Sequence, residues 1–327
     1  MVPVLLVIGG LAALIAGAEL VVRYGSLLAR RLGIPPMIIG LTVVSIGTSA
    51  PELAVGIDAM KVNAGSLAVG NIAGTNIVNL LLILGLSAAL RTIHFERRTL
   101  VLDLPGMAIA AALLYVFSLD GQLQLWEGIP LVLAAVAYTV GLGWWTRREN
   151  NSAAEAAADD VVDALTADPS TSGRRHTVLA AVLLIVGIAV IVLGADALVR
   201  GSVELARLFG VSDAFIGLTI VAIGTSAPEL VTTLVSTIRG DRDIAVGNLI
   251  GSSVYNLTLI LGVPVLVANG SGPIDTYLLH IDLPIMVAVC LLCVPLFLTG
   301  RRLSRTEGTA MVAGYVAYLG YLLLART

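Results

Sequence analysis

Glu52 and Glu229 each stand in the octapeptide IGTSAPEL, at Ile46–Leu53 and again at Ile223–Leu230, and both copies lie inside long apolar runs. Pro51 has no N–H and its ring crowds the carbonyl of Gly47; Pro228 does the same to Gly224. A helix broken there frees carbonyl oxygens around Gly47–Thr48 and Gly224–Thr225, and such groups must line a cavity or bind something rather than face lipid. Thr48, Ser49 and Glu52 stand at i, i+1 and i+4, so their oxygens gather over about one helical turn, as do those of Thr225, Ser226 and Glu229. Carbonyl, hydroxyl and carboxylate oxygens together are the ligands of hard cations such as Ca²⁺ and Na⁺, not of soft metals.

The apolar run after each copy offers more. In Ala68–Gly85 and Ala245–Gly262, Thr75 and Asn79 lie one turn apart on a face, as do Ser252 and Asn256. Gly70, Gly74, Gly247 and Gly251 permit close helix approach. An isolated ionised carboxylate inside a bilayer costs several kcal/mol, so Glu52 and Glu229 are expected to be protonated or matched to a cation. Two carboxylates neutralise one Ca²⁺ or two Na⁺; any further Na⁺ rests on neutral oxygens, and its movement is electrogenic. A packed kink is the bland reading of Pro beside Ser/Thr, and its gap-free recurrence with a glutamate outweighs it.

The elements that hold these residues are membrane spans. Of 327 residues 57% are hydrophobic and 13% charged, far from the balance of a soluble domain, and so few basic residues exclude a nucleic-acid partner. Ten spans are predicted, at 2–22, 34–59, 66–90, 100–118, 127–146, 177–197, 211–238, 244–267, 278–299 and 307–325. The first has no basic flank or cleavage site and is expected to be retained. Of 19 Arg and Lys residues, 15 fall in loops after odd-numbered spans, which makes that side cytoplasmic and places both termini outside.

Glu52/Glu229, Asn71/Asn248 and Asn79/Asn256 are all separated by 177 residues, and the register holds without a gap from Arg23/Arg200 to Gly85/Gly262. Five spans per unit, an odd number, turn the second unit upside down. The expected fold is an all-α integral membrane protein of ten transmembrane helices, built as two inverted five-helix repeats with helices 2 and 7 interrupted. Residues 1–146 form the first repeat and 177–327 the second. The polar, acidic stretch 147–176 is a mobile cytoplasmic linker with a short amphipathic helix around 157–165. Inverted repeats with broken helices are a transporter architecture whose substrate site lies at the repeat interface.

Other polar residues receive plainer readings. Cys290 and Cys293 share a helix face and pack. Glu19, Asp103, Asp196 and Asp282 lie near span ends, solvated or paired with arginine. His94, His176 and His280 fall in loops, and the linker carboxylates lack EF-hand spacing.

In its duplicated GTSAPE and GN-x-x-G-[ST] motifs the sequence resembles the cation/Ca²⁺ exchanger superfamily, most closely the prokaryotic type of its Na⁺/Ca²⁺ exchanger branch, over essentially the whole chain. The resemblance implies a plasma-membrane antiporter that exchanges Ca²⁺ for Na⁺ by alternating access, with the ions as cargo, no resident cofactor and no protein partner. It implies that Glu52 and Glu229 are shared Ca²⁺/Na⁺ ligands and that the Thr48 and Thr225 carbonyls bind Ca²⁺. Ser49, Thr75, Ser226 and Ser252, with the Ser45 and Ala222 carbonyls, then serve flanking Na⁺ sites, while Asn79 and Asn256 line the middle. Asn256 stands where K⁺-dependent members carry an acid, which argues against K⁺ co-transport, and the linker is too short for a regulatory Ca²⁺-binding domain. Three other functions compete. Ca²⁺/H⁺ antiport can use the same two glutamates, and a passive channel lacks the coupling that the duplicated design suits. A hydrolase built on Ser49 or Ser226 needs an activating base, and apart from His280 at the very edge of the ninth no His or Lys lies in a predicted span.

Overall fold

A computed structural model of the chain describes residues 2–158, 173–209, 222–270 and 272–326. The described residues are almost wholly helical: α1 Val2–Leu32, α2 Pro36–Thr48, α3 Ala50–Lys61, α4 Gly65–Leu90, α5 Thr99–Ser118, α6 Leu125–Ala158, α7 Gly173–Leu208, α8 Ala222–Thr225, α9 Ala227–Arg239, α10 Asp243–Val267, α11 Leu278–Arg301 and α12 Arg305–Arg326. Seven of these are long and apolar enough to cross a bilayer, and α2 with α3, bent by 43° at their junction, make an eighth. The chain is therefore a multi-pass membrane protein. Of the other two expected spans, the seventh lies partly outside the described residues and the tenth coincides with α12.

Burial ranks the helices. Within their most apolar windows, 78% of α4 and of α10 is buried inside the protein, against 28–39% for α1, α5, α6, α7 and α11. The two helices that follow the duplicated motif thus form the centre, and the others turn an apolar face to lipid. A Leu- and Ile-rich core built largely on α4, α5, α10 and α11 surrounds them.

Small residues set the closest approaches. A Cβ on Gly10 would sit 2.7 Å from the Gly194 carbonyl oxygen, and one on Gly17 would sit 2.8 Å from that of Gly187. Gly201 meets Pro3, Leu6 and Val7 in the same way, so α1 and α7 run antiparallel along much of their length. The offset of 177 maps Gly10 onto Gly187 and Gly17 onto Gly194, which makes these contacts reciprocal. Gly85 against Gly308 and Gly262 against Gly128 repeat the pattern between α4 and α12 and between α10 and α6. A two-residue antiparallel ladder, Ile93–His94 on Arg302–Leu303, ties the loops flanking α4 and α12.

Four expectations change. The first and sixth spans extend to 31 and 36 residues. At 1.5 Å per residue each exceeds the roughly 30 Å of a bilayer core, because the two helices continue to pack on each other beyond it. Glu19 and Asp196 consequently lie within helices rather than at their ends, and each meets an arginine: Glu19 pairs with Arg239, and Asp196 with Arg200 at 2.9 Å. The linker's start is not irregular, since α6 continues through Ala158, as the helix-favouring run SAAEAAA allows. Residues 159–172, and with them most of the expected amphipathic helix, lie outside the described residues. Arg98, counted as a loop cation, is fully buried. His94 sits in the short ladder, while His176 and His280 are helical, because the adjoining helices begin earlier than the hydropathy minimum.

Candidate cation site

Both copies of the motif break the helix at the serine. Ser49 (φ −83°, ψ 11°) separates α2 from α3, and Ser226 (φ −86°, ψ 6°) separates α8 from α9. Pro51 and Pro228 occupy the first turn of the new helix, where a missing N–H costs nothing. The carboxylates of Glu52 and Glu229 stand one residue further on, in the same first turn, where the helix dipole favours negative charge.

The structure brings the two halves together here. Glu52 and Glu229 are both fully buried and near enough to repel when both are ionised. Ser49 of the first motif donates its hydroxyl to Glu229 Oε1 of the second at 3.2 Å. Glu52 Oε1 and Oε2 and Glu229 Oε2 have no hydrogen-bond partner among the described residues.

The central helices complete the cluster. Thr75, Asn79, Ser252 and Asn256 are all buried, and the Asn79 and Asn256 amides, like the Ser226 and Ser252 hydroxyls, lack protein partners. Both central helices widen into π-type turns at this level, over Val78–Leu84 in α4 and Asn256–Ile260 in α10, a local geometry frequent at functional sites. Buried polar atoms in native proteins are nearly always hydrogen-bonded. The unpartnered carboxylate, amide and hydroxyl oxygens from both halves together offer the ligand chemistry of hard cations.

Two expected ligands are less open. The Ser45 carbonyl accepts from the Ser49 N–H at 3.1 Å and from the Thr48 hydroxyl at 3.3 Å. The Ser45 hydroxyl lies 2.6 Å from the Gly40 carbonyl and 2.9 Å from that of Asn248, fastening α2 to α10. Gly247 and Gly251 allow that contact, each approaching α2 backbone at 2.6 Å for a notional Cβ. The counterparts around Gly70 and Gly74 are residues 214–222, most of which lie outside the described residues; Ala222 itself opens α8. Thr225 closes α8 and has polar contacts of its own.

Sequence reasoning used Asn248 only as a register mark. Its side chain bridges the halves, accepting from Thr48 Oγ1 at 3.3 Å and donating to Thr233 Oγ1 at 3.5 Å. Asn76 and Ser253, also buried with unpartnered oxygens, join the same region. Their signal was the run of polar residues at helical spacing along an otherwise apolar span.

The fold defines a multi-pass membrane protein, and the site gathers oxygen-bearing side chains from both of its halves. A family model described as sodium/calcium exchanger protein matches residues 2–144 and again 179–324, and the chain belongs to that family. Inner membrane protein YrbG of Escherichia coli is 36% identical, with 97% of this chain and 95% of that protein covered. The sodium/calcium exchanger MaX1 of Methanosarcina acetivorans is 34% identical over 96% of this chain and 97% of its own length. Among solved structures, the sodium/calcium exchanger from Methanococcus jannaschii superposes with a TM-score of 0.80 at 26% identity, covering 98% of each chain.

Proposed function

We propose that the protein is a secondary antiporter that exchanges Ca²⁺ for Na⁺ by alternating access, electrogenically and in the direction of Ca²⁺ extrusion. The observation that carries this reading is the convergence of Glu52 and Glu229, one from each half, with no cation paired to them among the described residues. Two buried carboxylates balance one Ca²⁺ and leave the pocket unfavourable when empty, which is what an exchanger needs. The names of the exchanger from Methanosarcina acetivorans and of the solved exchanger support the ion pair.

In this reading ten helices form two inverted repeats, 1–146 and 177–327, joined by the linker 147–176. Glu52 and Glu229 bind both ions. The Thr48 and Thr225 carbonyls complete the Ca²⁺ shell. The hydroxyls of Ser49, Thr75, Ser226 and Ser252, with the Ser45 and Ala222 carbonyls, serve Na⁺, and Asn79 and Asn256 line the centre. The arginine-rich loops face the cytoplasm and both termini lie outside the cell membrane. The Ser49 hydroxyl is bound to a carboxylate that ions require, so we assign it no catalysis.

Ca²⁺/H⁺ antiport is the second reading, because the same buried glutamates can carry protons. Radiolabelled Ca²⁺ uptake into proteoliposomes separates the two, with an outward Na⁺ gradient in one arm and an outward H⁺ gradient at matched voltage in the other. Uptake driven by Na⁺ is expected. Uptake driven only by H⁺ moves the protein to the second reading, and flux indifferent to both gradients removes coupled transport altogether.

A further inference from the structure

The half-helices that leave the site, α3 and α9, begin identically as APEL and then diverge. On α9, Thr232, Thr233, Ser236 and Thr237 are all buried and, with Glu229 and Gly240, occupy one face at i, i+3, i+4, i+7, i+8 and i+11. On α3 the counterparts at the same spacing are Val55, Gly56, Ala59, Met60 and Asn63. Gly56 packs against Pro264, and Ala59 and Met60 are buried in apolar contacts. The polar relay differs to match: Asn248 reaches Thr233, whereas for its counterpart Asn71 the position equivalent to Thr233 is Gly56, and the Asn71 Nδ2 has no partner among the described residues.

The α9 hydroxyls have a geometry suited to cations. Ser236 donates to the Thr232 carbonyl and Thr237 to that of Thr233, both at 2.7 Å. A hydroxyl whose proton is committed to its own helix offers only lone pairs outward. Thr232 Oγ1, fully buried, has no partner at all. From Glu229 to Gly240 the helix rises about 16 Å, roughly half the thickness of a bilayer core. At Gly240 the stripe meets a cavity of about 270 Å³ lined by Pro36, Gly240, Asp241, Asp243 and Ile244. Asp241 precedes α10 without capping it through its side chain. Arg239 at this mouth is paired with Glu19, and Arg91 Nη1 lies 4.0 Å from a notional Gly240 Cβ. The mouth is mixed in charge, so discrimination falls to the hydroxyls behind it.

We propose that the hydroxyl-bearing face of α9 (Thr232, Thr233, Ser236 and Thr237) lines the cation's route between the paired glutamates and the arginine-rich side of the membrane, and that α3 lines no equivalent route to the other side. The proposal rests on the exchanger reading for its cargo and on the arginine census for its side.

Ser236→Cys and its mirror-position control Ala59→Cys test it, in right-side-out and inverted membrane vesicles treated with a small impermeant cationic methanethiosulfonate. Modification is read by intact mass as well as by Ca²⁺ uptake; wild type reports the background from Cys290 and Cys293, which are buried. Ser236→Cys is expected to react from the arginine-rich face only, more slowly with Ca²⁺ present, and Ala59→Cys from neither face. A Ser236→Cys protein that exchanges ions yet stays unmodified from both faces, or reacts from the opposite one, overturns the route. Side-specific modification of Ser236→Cys beside a wild type that shows no exchange activity refutes the exchanger reading and leaves the route standing. Thr233→Val, which keeps the shape, guards against a folding artefact: it is expected to lower turnover about tenfold, the equivalent of about 1.4 kcal/mol of barrier, with Ca²⁺ affinity nearly unchanged. Unchanged turnover makes the stripe packing only.

Discussion

Two buried polar centres lie inside this protein, and they differ in how their charge is balanced. Around Glu52 and Glu229 no cationic side chain is paired with them and several oxygens lack partners among the described residues. Around Asp103 the charge is matched by Arg98, which also meets Glu96 at 3.5 Å, although Asp103 Oδ2 and the Arg98 Nε and Nη1 make no hydrogen bond among the described residues. Arg98, fully buried, lies with its Nε 3.8 Å from Asp103 Oδ2, and Tyr138 donates to Asp103 Oδ1 at 3.1 Å. The Tyr138 ring meets that of Tyr255 edge-on, and Tyr255 shares a 2.7 Å hydrogen bond with Thr139. In the second half Tyr318 repeats the contact on Asp282 at 3.1 Å. A carboxylate with its own arginine is architecture joining α5, α6 and α10. A pair of carboxylates without one is what the proposed exchange requires of its cargo site.

Breaking each centre should therefore give opposite signatures. The largest effect is expected from Glu52→Gln or Glu229→Gln, which leaves a bound Ca²⁺ with one charge uncompensated in a buried site. At about 3–5 kcal/mol for such a charge, Ca²⁺ flux in proteoliposomes falls on the order of a hundredfold to a few thousandfold, while cation-free thermal stability holds or rises. A variant that lost stability instead would put Glu52 among structural carboxylates. Asp103→Asn reverses the pattern: buried Arg98 keeps only the half-exposed Glu96, 3.5 Å away, about 3 kcal/mol of stability is lost, and Ca²⁺ affinity of the folded fraction stays close to wild type. Denaturation in detergent beside equilibrium Ca²⁺ binding measures both.

Ligand stabilisation comes next. Ca²⁺ at about a hundred times its dissociation constant should stabilise the wild type by about 2.7 kcal/mol and leave Glu229→Gln unmoved, readable as a melting shift. The smallest effect is expected from Tyr138→Phe and Tyr318→Phe, each removing one hydrogen bond to a carboxylate, at about 1–2 kcal/mol apiece. Equal costs would mark the two tyrosines as counterparts in one repeated brace, and a cost at only one would confine the brace to that half.

Much of this was legible in the sequence because its signals are local. Spans follow from hydropathy, the repeat from a constant offset, and the broken helices from a proline one residue before a glutamate. Arg98 was misplaced because an arginine at a span's edge looks solvated. Only the fold shows that Asp103, five residues on, and Tyr138, from the next helix, enclose it. Asn248 was equally opaque, since its partners Thr48 and Thr233 belong to different halves. The polar start of the linker masked a helical continuation that its alanines and glutamate favoured.

The central claim is that one glutamate from each half serves a single site. Ca²⁺ binding stoichiometry and affinity, measured by titration calorimetry on wild type, Glu52→Gln, Glu229→Gln and the double variant, tests it most directly. One Ca²⁺ per chain, lost to a similar degree in either single variant with little further loss in the double, is the expected result. Two Ca²⁺ per chain, with each single variant forfeiting one and keeping the other at wild-type affinity, would contradict it and split the molecule into two independent sites.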